Sequence, residues 1–154
     1  MESYAEKIKK LNILSGQILD AAIEAHRTLG GPGLLEVVYE EALVHELKLR
    51  SIVTERQKPV PIQYKGCTLK KPLILDLLVS KTIIVEIKSV EEFSPVYHSQ
   101  LLTYLRLMDL PLGLIINFGE RYVKNGFHRV VNNFPQTLSS KRTFNGETQS
   151  RRER

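Results

Sequence analysis

Apolar residues recur at helical spacing in residues 4–29 and again in residues 34–49. Between them lies Gly30-Gly31-Pro32-Gly33, a run that cannot continue a helix but can precede the start of another. Residues 95–108 have the length and composition of a further helix. The pattern therefore predicts three helices, the first two joined by a tight turn.

Three other stretches, residues 73–79, 82–89 and 112–118, are nearly continuous in aliphatic side chains. Strands that are apolar on both faces usually lie in the middle of a sheet, with helices on either side. Residues 52–71 are rich in β-branched residues, Pro and Gly, which predicts an irregular hairpin, and a short element at residues 127–131 closes the domain. We therefore predict an α/β fold with a central mixed β-sheet flanked by helices on both faces.

A chain of 154 residues with 42% hydrophobic and 25% charged residues is typical of one globular domain. We assign that domain to residues 1–132 and predict that residues 133–154, rich in Ser, Thr, Asn, Gln and Arg, form a basic, disordered tail. Five basic and two acidic residues give this tail +3 of the net charge of +5, which leaves +2 for the domain. Basicity alone is therefore a weak indication of a nucleic-acid partner.

Cys67 is the only cysteine, so the chain can form no internal disulfide and has no Cys/His spacing typical of a metal site. No apolar run approaches the roughly 18 residues that a membrane-spanning helix needs, and the N-terminus lacks the apolar core of a signal peptide. These features predict a cytoplasmic protein with no membrane partner.

Charged residues interrupt two of the aliphatic strands at Asp76, Glu86 and Lys88. Burying a charge is costly unless the charge is paired or binds a metal. Glu86 and Lys88 are two residues apart, so they project from one face of their strand. Asp76 joins them only if the hairpin register pairs it with Glu86, which needs an odd loop such as residues 80–82. A two-residue loop would place the two carboxylates on opposite faces.

In the productive register, the Asp76 and Glu86 carboxylates meet beside the backbone carbonyl of Ile87. Oxygen ligands of this kind suit Mg²⁺ or Mn²⁺. Such a cation would lower the pKa of a bound water, and Lys88 would orient that water or stabilise charge developing on a phosphate. The alternative interpretation is a buried ion pair without chemistry.

Two helical motifs accompany the strand residues. Glu36 and Tyr39 lie one turn apart on the second predicted helix, and Gln100 and Tyr104 lie on one face of the third. Each pair alone is a weak signal, because a helical Glu is commonly solvated and a Tyr is commonly a core residue with a hydrogen-bonded hydroxyl.

Together, the four motifs resemble the GxxExxY protein family, a branch of the PD-(D/E)XK nuclease superfamily, and they are similar to the RecB-like exonucleases. The resemblance covers about residues 10–132, and its motifs occur in the family's order: Gly33-x-x-Glu36-x-x-Tyr39, Asp76, Glu86-Ile87-Lys88 and Gln100-x-x-x-Tyr104.

This resemblance implies a restriction-endonuclease-like core in which Asp76 and Glu86 bind the metal, together with the Ile87 carbonyl. It implies that Lys88 is the catalytic lysine and that Glu36 supports the metal or its water. The glutamine and tyrosine of the last motif would hold substrate phosphate or the active-site lysine.

These expectations favour a divalent-metal-dependent nuclease that acts on DNA rather than RNA, with a homodimer required for a symmetric double-strand cut. The first alternative is a catalytically inactive nuclease fold that binds nucleic acid or protein. A second alternative, a carboxylate-pair glycosidase, is disfavoured by the absence of Trp and by Lys88 next to the acidic pair.

Overall fold

The computed structural model describes residues 1–133, so the predicted tail lies outside the described residues apart from Asn133. The helices are α1 (Tyr4–Thr28), α2 (Glu36–Leu49) and α3 (Val96–Met108). The strands are β1 (Thr54–Val60), β2 (Gln63–Tyr64), β3 (Cys67–Thr68), β4 (Leu73–Val79), β5 (Ile83–Lys88), β6 (Leu112–Asn117) and β7 (Phe127–Val131), the last preceded by a 3-10 turn (Val123–Gly126).

Five strands form the main sheet in the order β1-β4-β5-β6-β7, and β2 and β3 form a separate two-stranded ribbon. β5 and β6 run parallel, while the other neighbouring pairs in the main sheet are antiparallel. The sheet is therefore mixed, as predicted, and β4 and β5 are interior strands. The fold matches the predicted restriction-endonuclease-like α/β arrangement.

The two faces of the sheet bury separate apolar clusters. α1 and α2 cover one face, where Ile18, Tyr39 and Leu43 pack against side chains from β4, β5 and β6. α3 covers the other face through Leu101 and Leu105. Helices on both faces explain why the central strands are aliphatic throughout, since neither face is left to solvent.

Local sequence sets both ends of α1. Ser3 and Glu6 form a capping box, in which the Ser3 hydroxyl accepts the Glu6 N–H at 3.1 Å and the Glu6 carboxylate accepts the Ser3 N–H at 2.9 Å. The helix ends before Gly30 and Gly31, whose φ angles of 94° and 93° favour glycine. The predicted turn between α1 and α2 is confirmed.

Residues 52–71 differ from the predicted irregular hairpin. β1 is a seven-residue edge strand of the main sheet that pairs along β4, and only β2 and β3 form a hairpin. Pro59 lies within β1 without ending it, because an edge strand tolerates proline on its unpaired side.

Three of the connections between elements lie at the same end of the main sheet. β1, β5 and β6 finish there and β4 and β7 begin there, and we call it the carboxyl end of the sheet. The connections at residues 61–72, 89–95 and 118–126 all leave from this end.

None of the helices within residues 1–133 has the length and the apolar composition that a membrane-spanning helix requires.

The packing of α3 on β6 predicts the effect of adding one methyl group. A Cβ at Gly113 would lie 2.8 Å from Leu101 Cδ2, whereas a Cβ at Gly16 on α1 would meet nothing within 4 Å. We expect Gly113→Ala to lower the free energy of unfolding by about 1–3 kcal/mol through overpacking.

Gly16→Ala should instead raise stability by about 0.5–1 kcal/mol, because alanine is the better helix former. Urea denaturation of both variants measures the contrast. Equal shifts in the two variants would contradict close packing of α3 on β6.

Candidate active site

The site is built where β4 and β5 stop pairing. Their ladder joins Leu77, Leu78 and Val79 to Val85, Ile84 and Ile83 around a three-residue turn at residues 80–82. Ser80 and Lys81 take positive φ angles of 49° and 59° in this turn. The same register places Asp76 opposite Glu86, so the odd-length loop that the sequence analysis required is confirmed.

At that position, hydrogen bonds from backbone N–H groups to side-chain carboxylates replace the backbone-to-backbone hydrogen bonds of the ladder. The Asp76 N–H donates to Glu86 Oε2 at 3.1 Å, and the Ile87 N–H donates to Asp76 Oδ2 at 2.8 Å. Each carboxylate is thus held by a backbone N–H of the opposite strand. The two carboxylates are close neighbours at the gap between the strands.

The Ile87 carbonyl faces the same gap. In an extended strand, the N–H and C=O of one residue point to the same side, and the Ile87 N–H points at Asp76. The following residue faces the other way, because the Lys88 carbonyl accepts the Phe118 N–H at 2.8 Å. The gap is therefore lined by two carboxylates and one backbone carbonyl.

β1 is also interrupted beside Asp76. Arg56 pairs with Leu77 and Lys58 pairs with Leu75, but Gln57 between them has a φ of 48° and drops out of the ladder. Asp76 therefore lies where both of its neighbouring ladders break.

The neighbouring carboxylate and burial change the protonation of Glu86. Burial, together with the Asp76 charge, raises the pKa of Glu86 to about 8, against the lowering effects of the Asp76 N–H and of Lys88. Two carboxylates this close in a partly dry gap resist sharing two negative charges. Without a cation, the Glu86 carboxyl therefore keeps its proton at neutral pH.

Lys88 approaches the pair without forming a salt bridge. Its Nζ lies 4.5 Å from the centroid of the Tyr97 ring on α3, and none of the ion pairs within residues 1–133 joins it to Asp76 or Glu86. Its charge still lowers the pKa of Glu86. The Lys88 ammonium therefore lies at the rim of the gap, held over the aromatic face of Tyr97.

Tyr97 was missed from the sequence, although its spacing carried a signal. It precedes Gln100 by three residues and Tyr104 by seven, which places all three on one face of α3. Burial, followed by the Glu86 charge, raises the pKa of Tyr104 against the lowering effect of the neighbouring Gln100 side chain. α3 therefore presents its polar stripe to the carboxylate pair.

Glu36 lies at the first turn of α2 and is exposed, with no hydrogen bond or ion pair of its side chain within the described part of the chain. Its helix is nevertheless anchored at the site. The Tyr39 hydroxyl accepts the Leu34 N–H at 3.1 Å and donates to the Gly31 carbonyl at 2.6 Å. The Ser89 hydroxyl, one residue beyond Lys88, donates to the Leu34 carbonyl at 2.8 Å. Glu36 is thus held beside the end of β5 but outside the carboxylate gap.

Glu40, rather than Glu36, is the buried carboxylate of α2 and was also missed from the sequence. Its oxygens accept from Arg56 Nε at 3.1 Å and from Gln57 Nε2 at 3.0 Å. Gln57 Nε2 also reaches Asp76 Oδ1 at 3.5 Å. The available signal was spacing, because Glu40 lies three and seven residues before Leu43 and Leu47 on the core-facing side of the helix.

The donors in the gap fit a hard divalent cation. Within residues 1–133, no group of three or more His, Cys, Asp or Glu side chains converges on one point. Mg²⁺ does not require such a group, since it is usually bound by one or two carboxylates and keeps several waters. Asp76, Glu86 and the Ile87 carbonyl supply that donor set, and the repulsion between the carboxylates favours a cation between them.

A family model of the PD-(D/E)XK nuclease superfamily matches residues 12–130, a stretch that includes the carboxylate pair, Lys88 and the polar stripe of α3. The chain therefore belongs to the PD-(D/E)XK nuclease superfamily. Members of this superfamily are usually nucleases that use divalent metal ions and act on nucleic acid. Neither the curated proteins nor the solved structures contain a significant match to the chain.

The raised pKa of Glu86 predicts an unusual dependence of stability on pH. In a chelator, the folded state holds the Glu86 proton more tightly than the unfolded chain, whose carboxyl titrates near the ordinary 4.5. The resulting stabilisation is complete below that pH and is lost as the pH rises towards 8. The loss should be on the order of a few kcal/mol, at about 1.4 kcal/mol per pKa unit.

Glu86→Gln should remove this component of the pH dependence, while Glu41→Gln on the exposed side of α2 should leave it in place. Denaturant unfolding at a series of pH values measures the difference. Parallel pH profiles for the parent and Glu86→Gln would show that the pair is not coupled to folding.

Proposed function

We propose that this protein is a divalent-metal-dependent nuclease that hydrolyses phosphodiester bonds, of DNA in preference to RNA. The observation that carries the proposal is the mutual clamp of Asp76 and Glu86, in which each carboxylate is held by a backbone N–H at a break in the sheet. A purely structural ion pair would combine opposite charges, whereas this gap combines two carboxyl groups that repel each other once both are ionised, so that a bound cation favours their ionised form.

Asp76, Glu86 and the Ile87 carbonyl are the groups that we assign to holding Mg²⁺ or Mn²⁺. A cation of this kind lowers the pKa of bound water and neutralises phosphate charge. The protein's part is to fix the donors in position: the two backbone N–H groups engage Glu86 Oε2 and Asp76 Oδ2 and leave the other oxygen of each carboxylate without a backbone donor. Binding would also displace the proton that Glu86 otherwise keeps at neutral pH.

We assign to Lys88 the role of orienting the attacking water and of stabilising the negative charge that develops on the phosphate. Its position over the Tyr97 ring supports this role, because the aromatic face holds the ammonium near the pair without neutralising it in a salt bridge. Gln100 and Tyr104 are assigned to hold substrate phosphate, or Lys88 itself, from the α3 side. Their position on one face of α3, where the Glu86 charge raises the pKa of Tyr104, supports that assignment.

Glu36 is assigned to the metal through a bound water, since its carboxylate is free of protein partners in the described chain and its helix start is tied to Ser89. Glu40 has a positioning role, because it acts on Asp76 through Gln57. Glu36 would therefore act on the reaction directly, while Glu40 would act through the geometry of Asp76.

We further propose that the protein is cytoplasmic and that it acts on both strands of a duplex only as a homodimer. The exposed, free thiol of Cys67 is compatible with a reducing cytoplasm. A chain with one carboxylate pair can cut one strand at a time, so a symmetric double-strand cut would require a homodimer.

The second candidate is an inactive nuclease fold that binds nucleic acid or protein. Two observations favour it: no third acidic side chain converges on the pair within residues 1–133, and Lys88 lies over Tyr97 rather than on the carboxylates. Metal binding separates the candidates, because an inactive module has no need to bind a divalent cation at the two carboxylates.

The first test replaces Lys88 by Ala and Asp76 by Asn, and both variants should lose phosphodiester cleavage by at least about a hundredfold. Asp76→Asn should also weaken Mn²⁺ binding, since it removes a negative ligand, while Lys88→Ala should still bind the ion. Plasmid and single-strand cleavage assays beside calorimetric titration with Mn²⁺ measure both quantities.

Lys9→Ala on the exposed side of α1 is the matched control and should cleave like the parent. Unchanged cleavage by Lys88→Ala, or no measurable metal binding by the parent, would favour the inactive module.

The second test separates the two glutamates of α2. Glu36→Gln should lower the cleavage rate with little change in stability, because its side chain makes no hydrogen bond or ion pair in the described chain. Glu40→Gln should lower stability by about 1–3 kcal/mol as well as rate, since a buried, hydrogen-bonded charge is lost. Thermal melts and cleavage rates of the two variants measure this contrast between an effect on rate alone and an effect on both rate and stability. Cleavage by Glu36→Gln at the parent rate would contradict a role of Glu36 in the reaction.

A further inference from the structure

Residues 61–72, which we call the arm, project from the main sheet without contributing much to its core. The arm contains the β2–β3 ribbon, which has only two residue pairs. Its turn is Lys65-Gly66, with positive φ angles of 49° and 83°, as in the tight turns of two-residue hairpins. Residues 63–72 are all exposed. Burial therefore does not explain why the chain has this ribbon.

The arm concentrates the positive charge of the domain. It contains Lys65, Lys70 and Lys71 and no Asp or Glu, so it carries +3. Since residues 1–132 carry +2 in total, the rest of the domain carries −1. None of the three lysines is paired with a carboxylate within residues 1–133. The arm therefore presents three lysine ammonium groups whose charge is not neutralised by ion pairs in the described part of the chain, and such a surface favours the binding of a polyanion.

An exposed aromatic ring accompanies these cations. Tyr64 is 58% exposed, and Lys65 Nζ lies 5.5 Å from the centroid of its ring. Proteins that bind single-stranded nucleic acid combine basic side chains for the phosphates with aromatic rings on which bases stack. A ribbon of two residue pairs is too short to read a duplex groove, whereas one ring can stack on an unpaired base.

The position of the arm links it to the carboxylate pair. It joins the end of β1 to the start of β4 at the carboxyl end of the sheet, and Asp76 is the fourth residue of β4. At about 3.3 Å per residue, the base of the arm is roughly 10 Å from Asp76 along the strand. The other two connections at this end are less positive, since residues 89–95 carry −2 and residues 118–126 carry +1. The arm is therefore the favoured route for a strand to approach the pair.

We propose that the arm grips a single-stranded segment of nucleic acid, with its three lysines on backbone phosphates and Tyr64 stacked on an unpaired base. The inference rests on the proposed nuclease function and adds the form of its substrate, a single strand or the single-stranded part of a longer molecule. DNA and RNA share the groups that the arm recognises.

Fluorescence anisotropy in a chelator tests the arm without requiring cleavage. The probes are a labelled single-stranded oligodeoxynucleotide, the RNA strand of the same sequence and the DNA duplex. The arm variant combines Lys65→Asn, Lys70→Gln and Lys71→Gln, with Asn chosen because it tolerates the positive φ of position 65. The matched control combines Lys7→Gln, Lys9→Gln and Lys48→Gln, which removes the same charge from exposed sites on α1 and α2.

The arm variant should bind the single strand about tenfold or more weakly and should lower the slope of log Kd against log salt by about 2, since each single-strand phosphate contact contributes about 0.7. The charge control should change affinity less than the arm variant and by a similar factor for every probe. Binding of both single strands, with whichever preference between DNA and RNA, supports the arm.

Tyr64→Ala should weaken single-strand binding by at least about fivefold, while Tyr64→Phe, which keeps the ring face, should bind like the parent. The matched control is Tyr4→Ala at the start of α1, where the side chain is 60% exposed. It should bind like the parent.

The proposal is overturned by equal losses in the two triple variants, by an unchanged affinity in Tyr64→Ala, by tighter binding of the duplex than of the single strand, or by no binding in the parent. Competition by polyglutamate as effective as that by unlabelled oligonucleotide would also overturn it, because the arm would then recognise negative charge alone. A parent that binds the strand as expected but cleaves nothing with Mg²⁺ or Mn²⁺ would reject the nuclease function and leave the arm's role intact.

Discussion

The reciprocal clamp of Asp76 and Glu86 is the constraint on which the rest of this structure depends. Two carboxylates are brought together at a gap in a largely buried sheet, and two backbone N–H groups hold them there. These N–H groups are available because β4 and β5 separate at this position instead of continuing their ladder. Burial and the like charge of Asp76 both oppose ionisation of Glu86, and its raised pKa reflects these two effects.

The surroundings of the pair explain how the fold maintains it. On one side, Tyr39 fixes the start of α2 and stacks on Phe118, whose ring centroid is 4.6 Å away. The carboxyl ends of β5 and β6 are joined by the fully buried Asn117, which accepts N–H groups of Val90 and Gly119 at 3.0 Å and donates to the Val90 carbonyl. Buried polar groups satisfied in this way order the backbone beside Lys88. The site therefore rests on regular elements rather than on mobile loops.

The stretch that matches the PD-(D/E)XK nuclease superfamily, residues 12–130, contains the residues that the local geometry brings together. The superfamily implies nuclease-type chemistry, and the structure supplies an acidic gap with a nearby lysine and a polar helical stripe. The geometry adds two side chains that motif spacing left out, Glu40 behind Asp76 and Tyr97 beneath Lys88. Both act on residues of the motif rather than belonging to it, which is why a pattern of motifs does not contain them.

The sequence by itself determined the elements and the central chemistry. Aliphatic runs can be buried only in a covered sheet, so the mixed sheet with helices on both faces followed from composition, and charges at Asp76, Glu86 and Lys88 stood out because burying them is costly. Whether the two carboxylates meet was left open, since one residue of register decides the face on which a side chain lies. Tertiary structure decided it through the turn at residues 80–82 and the ladder breaks beside Asp76. It also made β1 an edge strand and gave Glu40 its partner Arg56. Helical spacing can place Glu40 on the core-facing side of α2, but it does not reveal which residues distant in the chain contact it.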